Sequence, residues 1–221
     1  MYTIQVGSFL LNGQLLLVVL FGMAGWAALR LYLRGRSDVE PIVTIASNAF
    51  LIWILVWKGS LLLWDPVTTW AHPISLLYYD GGEKGRWTAV LAAAGYAAWR
   101  TRRKQVATET AAVTASVYLL GGYACYHAAL AVLDSTYWAF HAGMTALSLG
   151  MLLPFLIGKW PVTWNKLAER WLWLMLGWSA VWFLHPSRNL IIFSFNMQQI
   201  TGLVLATILY FVVRRLERRR G

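Results

Sequence analysis

The stretch TAAVTASVYLLGGYACYHAALAVL, residues 110–133, followed after a short break by YWAFHAGMTALSLGMLLPFLIG, residues 137–158, decides the fold class of this chain. Each run is mostly apolar and as long as the roughly 17–25 residues that an α-helix needs to cross a hydrocarbon layer about 30 Å thick. Residues 12–33, 41–64 and 196–213 are runs of the same kind. Two shorter runs, 87–99 and 171–184, span only with flanking Trp and Tyr at the headgroup level, or in a thinned or protein-lined position. The expectation is an all-α fold: a polytopic integral membrane helix bundle of about seven transmembrane helices.

The basic residues orient it. Arg30, Arg34 and Arg36 follow the first span, Arg100, Arg102, Arg103 and Lys104 the third, Lys159, Lys166 and Arg170 the fifth, and Arg214, Arg215, Arg218, Arg219 and Arg220 the seventh. Fifteen of the 19 Lys and Arg residues therefore fall on one set of alternate connectors, Lys84, Arg86 and Arg188 fall on the other, and Lys58 lies inside the second span. The positive-inside bias predicts an N-terminus outside and a C-terminus in the cytoplasm.

A net charge of +10 would suggest a nucleic-acid partner in a soluble protein. Here the charges are juxtamembrane, where anionic lipid attracts each by about 1 kcal/mol, and no nucleic-acid partner is expected. With 59% hydrophobic and 13% charged residues, the bundle consumes nearly the whole chain, so residues 1–221 are expected to form a single membrane domain. The first span has no charged segment before it and no evident cleavage pattern, and is taken as a retained helix. A lone Cys125 excludes an intramolecular disulfide and a cysteine-built zinc site, and packs as a small hydrophobe.

Segment 65–86 differs from the other connectors. It mixes Asp65-Pro66, His72-Pro73 and Tyr79-Asp80-Gly81-Gly82 with Trp70, Ile74, Leu76 and Leu77. That mixture suits an interfacial or re-entrant element, because irregular backbone at depth survives only where protein or water satisfies it. All four histidines map to the same outer side: His72 in this segment, His127 near the end of span four, His141 near the start of span five and His185 just past span six. Neutral imidazoles there can ligate a haem or metal, or serve as acid and base, although no two lie at i, i+3 or i, i+4 and the interface accommodates imidazole without a function.

Lys58 is either an intramembrane functional charge or a side chain snorkelling past Trp64 to the headgroups. Asp65, Asp80, Glu83 and Asp134 can pair with Lys58, Lys84, Arg86 and Arg188, and a carboxylate beside an arginine fork suits a phospholipid headgroup. Of the 14 Trp, Trp178 and Trp182 lie deep and at i, i+4, facing a lipid cavity or simply packed. Ala92–Gly95 and Gly121-Gly122 permit close approach of helices.

The order of an apolar second span, Asp65-Pro66, an amphipathic stretch, the Tyr79–Gly82 turn, a short third span and the basic exit Arg100–Lys104 resembles the bacterial prolipoprotein diacylglyceryl transferase family. Phe195-Asn196-Met197-Gln198-Gln199-Ile200 opening the last helix and Ile4-Gln5-Val6-Gly7 before the first are similar to that family too. Where the family carries a His shortly after Gly-Gly, this chain has Glu83-Lys84-Gly85-Arg86-Trp87. Where the family carries Gly-Arg-x-x-Asn-Phe-x-Asn in span four, it has Gly121-Gly122-Tyr123-Ala124-Cys125-Tyr126-His127.

The resemblance implies a multi-pass protein of the bacterial cytoplasmic (inner) membrane that binds phosphatidylglycerol-type lipid at the outer leaflet, with no cofactor and no metal. His127, Arg86 and Asp80 stand as its catalytic candidates, and Lys58, Arg86, Arg188, Trp178 and Trp182 as its lipid-binding candidates. Its partners would be membrane phospholipid and a lipoprotein precursor or another membrane protein. Two alternatives stay open: a b-type haem or quinone redox protein using His127, His141 and His185, and a non-catalytic scaffold subunit.

Overall fold

In a computed structural model, residues 3–6, 9–36, 39–71, 82–158, 163–187, 191 and 194–218 are described. The chain opens with an antiparallel hairpin of β1 (Thr3–Val6) and β2 (Phe9–Asn12), in which Thr3 pairs with Asn12 and Val6 with Phe9. Helices follow: α1 (Gly13–Tyr32), α2 (Val39–Trp64), the short α3 (Pro66–Ala71), α4 (Gly82–Arg103), α5 (Thr108–Leu133), α6 (Trp138–Ile157), α7 (Trp164–Val181) and α8 (Met197–Arg218). A single 3-10 turn, Trp182–Leu184, extends α7.

Five of these, Gly13–Tyr32, Val39–Leu63, Thr108–Leu133, Trp138–Ile157 and Met197–Arg218, are long and apolar enough to cross a membrane. Helical folding is what hydrocarbon demands, since only a helix or a closed barrel satisfies every backbone N–H and C=O without water. The chain is consistent with an all-α membrane bundle of the multi-pass kind, with the small hairpin as its one departure from all-helical structure among the described residues. The two short runs of the sequence prove to be parts of longer helices. α4 has 22 residues, about 33 Å at 1.5 Å per residue, and α7 has 18, about 27 Å.

Successive long helices run antiparallel, each pairing early residues of one with late residues of the next. Phe21 stacks on Phe50, Asn48 donates to the Tyr96 hydroxyl at 3.1 Å, and Ser179 meets Gln199. The principal packing order is α4 on α2, α2 on α1, α1 on α5, α5 on α6, α6 on α7 and α7 on α8. Helix α5 is the centre: half of its span is buried, against 11% to 33% for the other apolar spans. Around it Ala28, Val113, Val117, Leu120, Leu152, Phe155 and Leu167 form one core, and Leu29, Leu33, Val43 and Tyr118 a second.

The alternation gathers Arg30, Arg100, Arg103, Arg170 and Arg214 at one end of the bundle. Several lie over a neighbouring ring: Arg30 on Trp26 at 5.3 Å, Arg36 on Tyr32 at 4.8 Å, Arg103 on Trp99 at 5.6 Å and Arg214 on Tyr210 at 5.6 Å. These are cation–π contacts in which an interfacial ring seats a charge at the headgroup level. The opposite end holds the start of α1, α4, α6 and α8 and the end of α2, α5 and α7.

Gly121-Gly122 serves close approach as its sequence suggests. A Cβ at Gly121 would lie 2.5 Å from the Ala28 Cβ, and one at Gly122 would lie 2.8 Å from the Phe21 carbonyl. The Ala92–Gly95 run has no such role at its glycine, since a Cβ at Gly95 would meet nothing within 4 Å; α4 instead approaches α2 at Gly85, where Ser60 and the Trp57 carbonyl leave no room. Gly121→Val should therefore cost roughly 1–3 kcal/mol through overpacking, whereas Gly95→Ala should be neutral or stabilising by up to about 1 kcal/mol through helix propensity. Thermal unfolding of the two variants in detergent micelles checks the contrast.

Candidate functional site

The end of the bundle opposite the arginines carries a cluster of histidines and aromatic rings. Its centre is a pair: the Nδ1 atoms of His127 on α5 and His141 on α6 lie 2.8 Å apart, and both side chains are buried. The turn between these helices makes them meet. Asp134 accepts backbone N–H bonds from Thr136 at 3.1 Å and Tyr137 at 3.2 Å, which satisfies donors at the start of α6 and closes a tight helical hairpin. His127 lies six residues before the end of α5 and His141 three after the start of α6, and the turn between brings the two rings together on facing helices.

Rings enclose the pair. Tyr123 and Tyr126 present edges to His127 at centroid distances of 4.6 and 5.4 Å, and Phe140 packs against His127 at 6.0 Å and His141 at 5.3 Å. Phe140 also meets Trp182 at 4.9 Å, and Trp182 meets Trp178 at 6.2 Å and His185 at 4.9 Å. His185 is fixed in turn by the Tyr137 ring at 4.8 Å and by a bond of 2.9 Å between its Nδ1 and the Ser187 carbonyl. Tyr137 and Ser187 share a hydroxyl bond of 3.2 Å. The Trp182 indole N–H is buried and has no hydrogen-bond partner among the described residues, which leaves a donor inside the cluster.

Of the catalytic candidates, His127 is at the centre. Arg86, in the first turn of α4, is exposed at the same end and near enough to Tyr126 for its charge to act on the phenol. Asp80 lies outside the described residues. Among the lipid-binding candidates, Trp178 and Trp182 join the histidine cluster and Arg188 lies outside the described residues. Lys58 is on α2 with its ammonium 5.0 Å from the Trp57 ring centroid. Trp57 is fully buried, so on α2 the deep tryptophan is core.

His72 and residues 72–81 of the 65–86 segment also lie outside the described residues. Its start is helix α3, packed on α2 with Thr69 buried, and residues 82–86 belong to α4. Asp134, expected among the ion-pairing carboxylates, acts as the helix-start acceptor described above. Arg30 and Glu40 form an ion pair at 3.1 Å at the other end of the bundle.

The Phe195–Ile200 motif has a mechanical role. Asn196 caps α8 by accepting the Gln199 N–H at 2.8 Å, while the Gln199 side chain accepts the Asn196 N–H at 3.0 Å and donates to the Ser179 carbonyl at 3.2 Å. This reciprocal cap is buried and ties α8 to α7.

Two features escaped the sequence reading. One is the His127–His141 contact, whose signal is a pair of histidines on either side of a short turn. The other is Arg170, counted there among connector charges, which lies in α7 with its guanidinium 4.1 Å from the Phe155 ring centroid.

Compared with family models, curated proteins and solved structures, the chain matches none. The histidine end is therefore read from its own chemistry: neutral hydrogen-bonded imidazoles, two phenols and an indole donor, with an arginine at the rim.

Gln199→Leu keeps the volume but strands the Asn196 N–H and the Ser179 carbonyl, and should cost roughly 2–4 kcal/mol. The exposed neighbour Gln198→Leu should stay within about 0.5 kcal/mol of wild type. Thermal melts of the two variants in the same detergent measure the difference.

Proposed function

We propose that this chain is a phospholipid-handling protein of seven spans, with its N-terminus outside and its C-terminus in the cytoplasm, that works at its histidine end. The observation that carries the reading is the buried His127–His141 pair beside Tyr126, with Arg86 at the rim of the same end. A neutral imidazole is the side chain best suited to take a proton near neutral pH, and His127 holds that role. Arg86 stays protonated and cannot be a base; its planar fork suits the phosphate of a lipid headgroup. The basic residues at the opposite end fix the orientation in the bacterial cytoplasmic membrane by the positive-inside bias.

The likeness to prolipoprotein diacylglyceryl transferases supports the lipid class but not the transfer reaction, because the His after Gly-Gly and the span-four Arg and Asn set are replaced in this chain. The haem alternative fits the geometry less well. His127 and His141 hydrogen-bond each other through their Nδ1 atoms at 2.8 Å, so neither Nδ1 would be open to a metal while that bond is made.

Three measurements test the proposal. Protein purified in mild detergent should carry anionic phospholipid by mass spectrometry, and Arg86→Ala should lower retention about tenfold, the equivalent of one charge-assisted hydrogen bond. A Soret band in the purified protein, or retention indifferent to Arg86→Ala, would sink it. A fluorescent protein fused after residue 221 should be bright in the cytoplasm and a periplasm-dependent phosphatase there inactive; the reverse pattern overturns the topology. Finally, the chain should not rescue a strain depleted of its diacylglyceryl transferase. Rescue that is lost with His127→Ala would mean that the site performs the transfer with rearranged residues.

A further inference from the structure

The contact between His127 and His141 joins one ring nitrogen of each to the other, and a hydrogen bond between two nitrogens needs one proton and one lone pair. In the neutral pair one ring must therefore be the Nδ1–H tautomer, with a lone pair at its Nε2. The other must be the Nε2–H tautomer, with its Nδ1 lone pair used inside the pair. Two rings of the ordinary Nε2–H tautomer would set two lone pairs against each other at 2.8 Å.

We propose that His127 and His141 act as a single acid–base unit that presents one Nε2 acceptor and one Nε2–H donor. His141 is then the positioning residue that holds His127 in the Nδ1–H tautomer with its Nε2 free to accept a proton. That one ring is Nδ1–H and the other Nε2–H rests on the pair alone; giving the Nδ1–H form, and with it the role of proton acceptor, to His127 rests on the function proposed above. Uptake of one proton converts the unit to an imidazolium donating through Nδ1 to a neutral ring. Both Nε2 atoms then carry hydrogen and the acceptor is gone. The unit is a base only while it holds no extra proton.

The titratable and charged groups around the pair are Tyr123 and Tyr126 on α5, Asp134 and Tyr137 in the turn, and His185 after α7, with Arg86 on α4 and Lys58 on α2 at the same end. On α1 and α8 the residues toward this end, Gly13–Trp26 and Met197–Ile208, include no titratable side chain. Among the described residues each Nδ1 is hydrogen-bonded to the other ring, so the tautomer of one constrains that of its partner.

Nitrogen NMR of the full chain, labelled with ¹⁵N-histidine in detergent micelles without added lipid, tests this directly. One buried ring should show a protonated Nδ1 and a bare Nε2, its partner the reverse, and the two should shift together as one proton is taken up. His141→Ala should return His127 to the Nε2–H form, and His141→Asn, which restores a side-chain carbonyl as an acceptor, should bring the Nδ1–H form back. Two Nε2–H rings in the wild type, independent titration of the two rings, or a His127 tautomer unmoved by His141→Ala would each overturn the proposal. The wild-type spectrum decides even where a variant fails to fold. Because no lipid is added, the spectrum stands or falls separately from lipid retention.

Discussion

Helices in hydrocarbon gain little from hiding apolar side chains from one another, because the lipid tails are as apolar as leucine; close backbone approach and its dispersion contacts hold them together. In this chain that constraint is met at the seam of α1 and α5. Gly25, Gly121 and Gly122 remove the side chains that would part the two backbones, and the Tyr118 hydroxyl crosses the seam to donate to the Gly22 carbonyl at 3.2 Å. With α1 pressed against it, α5 is the most buried of the apolar spans, and the remaining helices are laid out from this pair: α2 and α4 beyond α1, and α6, α7 and α8 beyond α5.

The site depends on the same axis. His127 lies on α5, so its depth and rotation are set by the helix that has least freedom to move, and the Asp134 turn passes that register to His141. Farther out, α7 contributes Trp178 and Trp182, and its position is secured by α8 through the buried Asn196–Gln199 cap and the Ser179 carbonyl. A polar motif at the start of the last helix thus supports the far wall of the histidine cluster without touching the histidines.

Much of the fold was legible because hydrocarbon length and charge distribution are strong signals. The five long apolar runs coincide with helices to within a few residues, and the basic residues do gather at one end. The short runs 87–99 and 171–184 were underestimated for a physical reason: a hydropathy reading stops at Glu83, Lys84 and Arg86, or at Lys166 and Arg170, whereas backbone hydrogen bonding continues through charged residues once they lie in the interface. The site was half legible. His127, Arg86, Trp178 and Trp182 fall toward one end of the bundle, but a sequence shows pairs only along a single helix, at i, i+3 and i, i+4. His127 and His141 are 14 residues apart in sequence and meet only because a tight turn folds their helices together. Asp134 reads from sequence as a charge seeking a cation, and only the fold shows its carboxylate accepting the turn N–H groups of Thr136 and Tyr137 just ahead of α6.

The division of polar groups between the two ends follows from the cost of burying them. Charged guanidinium is costly to desolvate, and Arg30, Arg103 and Arg214 stay exposed at one end, each against an aromatic ring. Imidazole, like the tyrosine hydroxyl, can enter the bundle neutral with both donor and acceptor capacity, and two imidazoles satisfy each other's Nδ1 atoms. A single buried histidine would leave an Nδ1 without a partner, at a cost of about 1–3 kcal/mol. The second histidine removes that cost and leaves the two Nε2 positions for whatever the site binds. The chemistry proposed for this end is thus a by-product of making the pair stable: the arrangement that lets polar groups survive at depth also leaves one Nε2 acceptor and one Nε2–H donor on the outer edges of the pair.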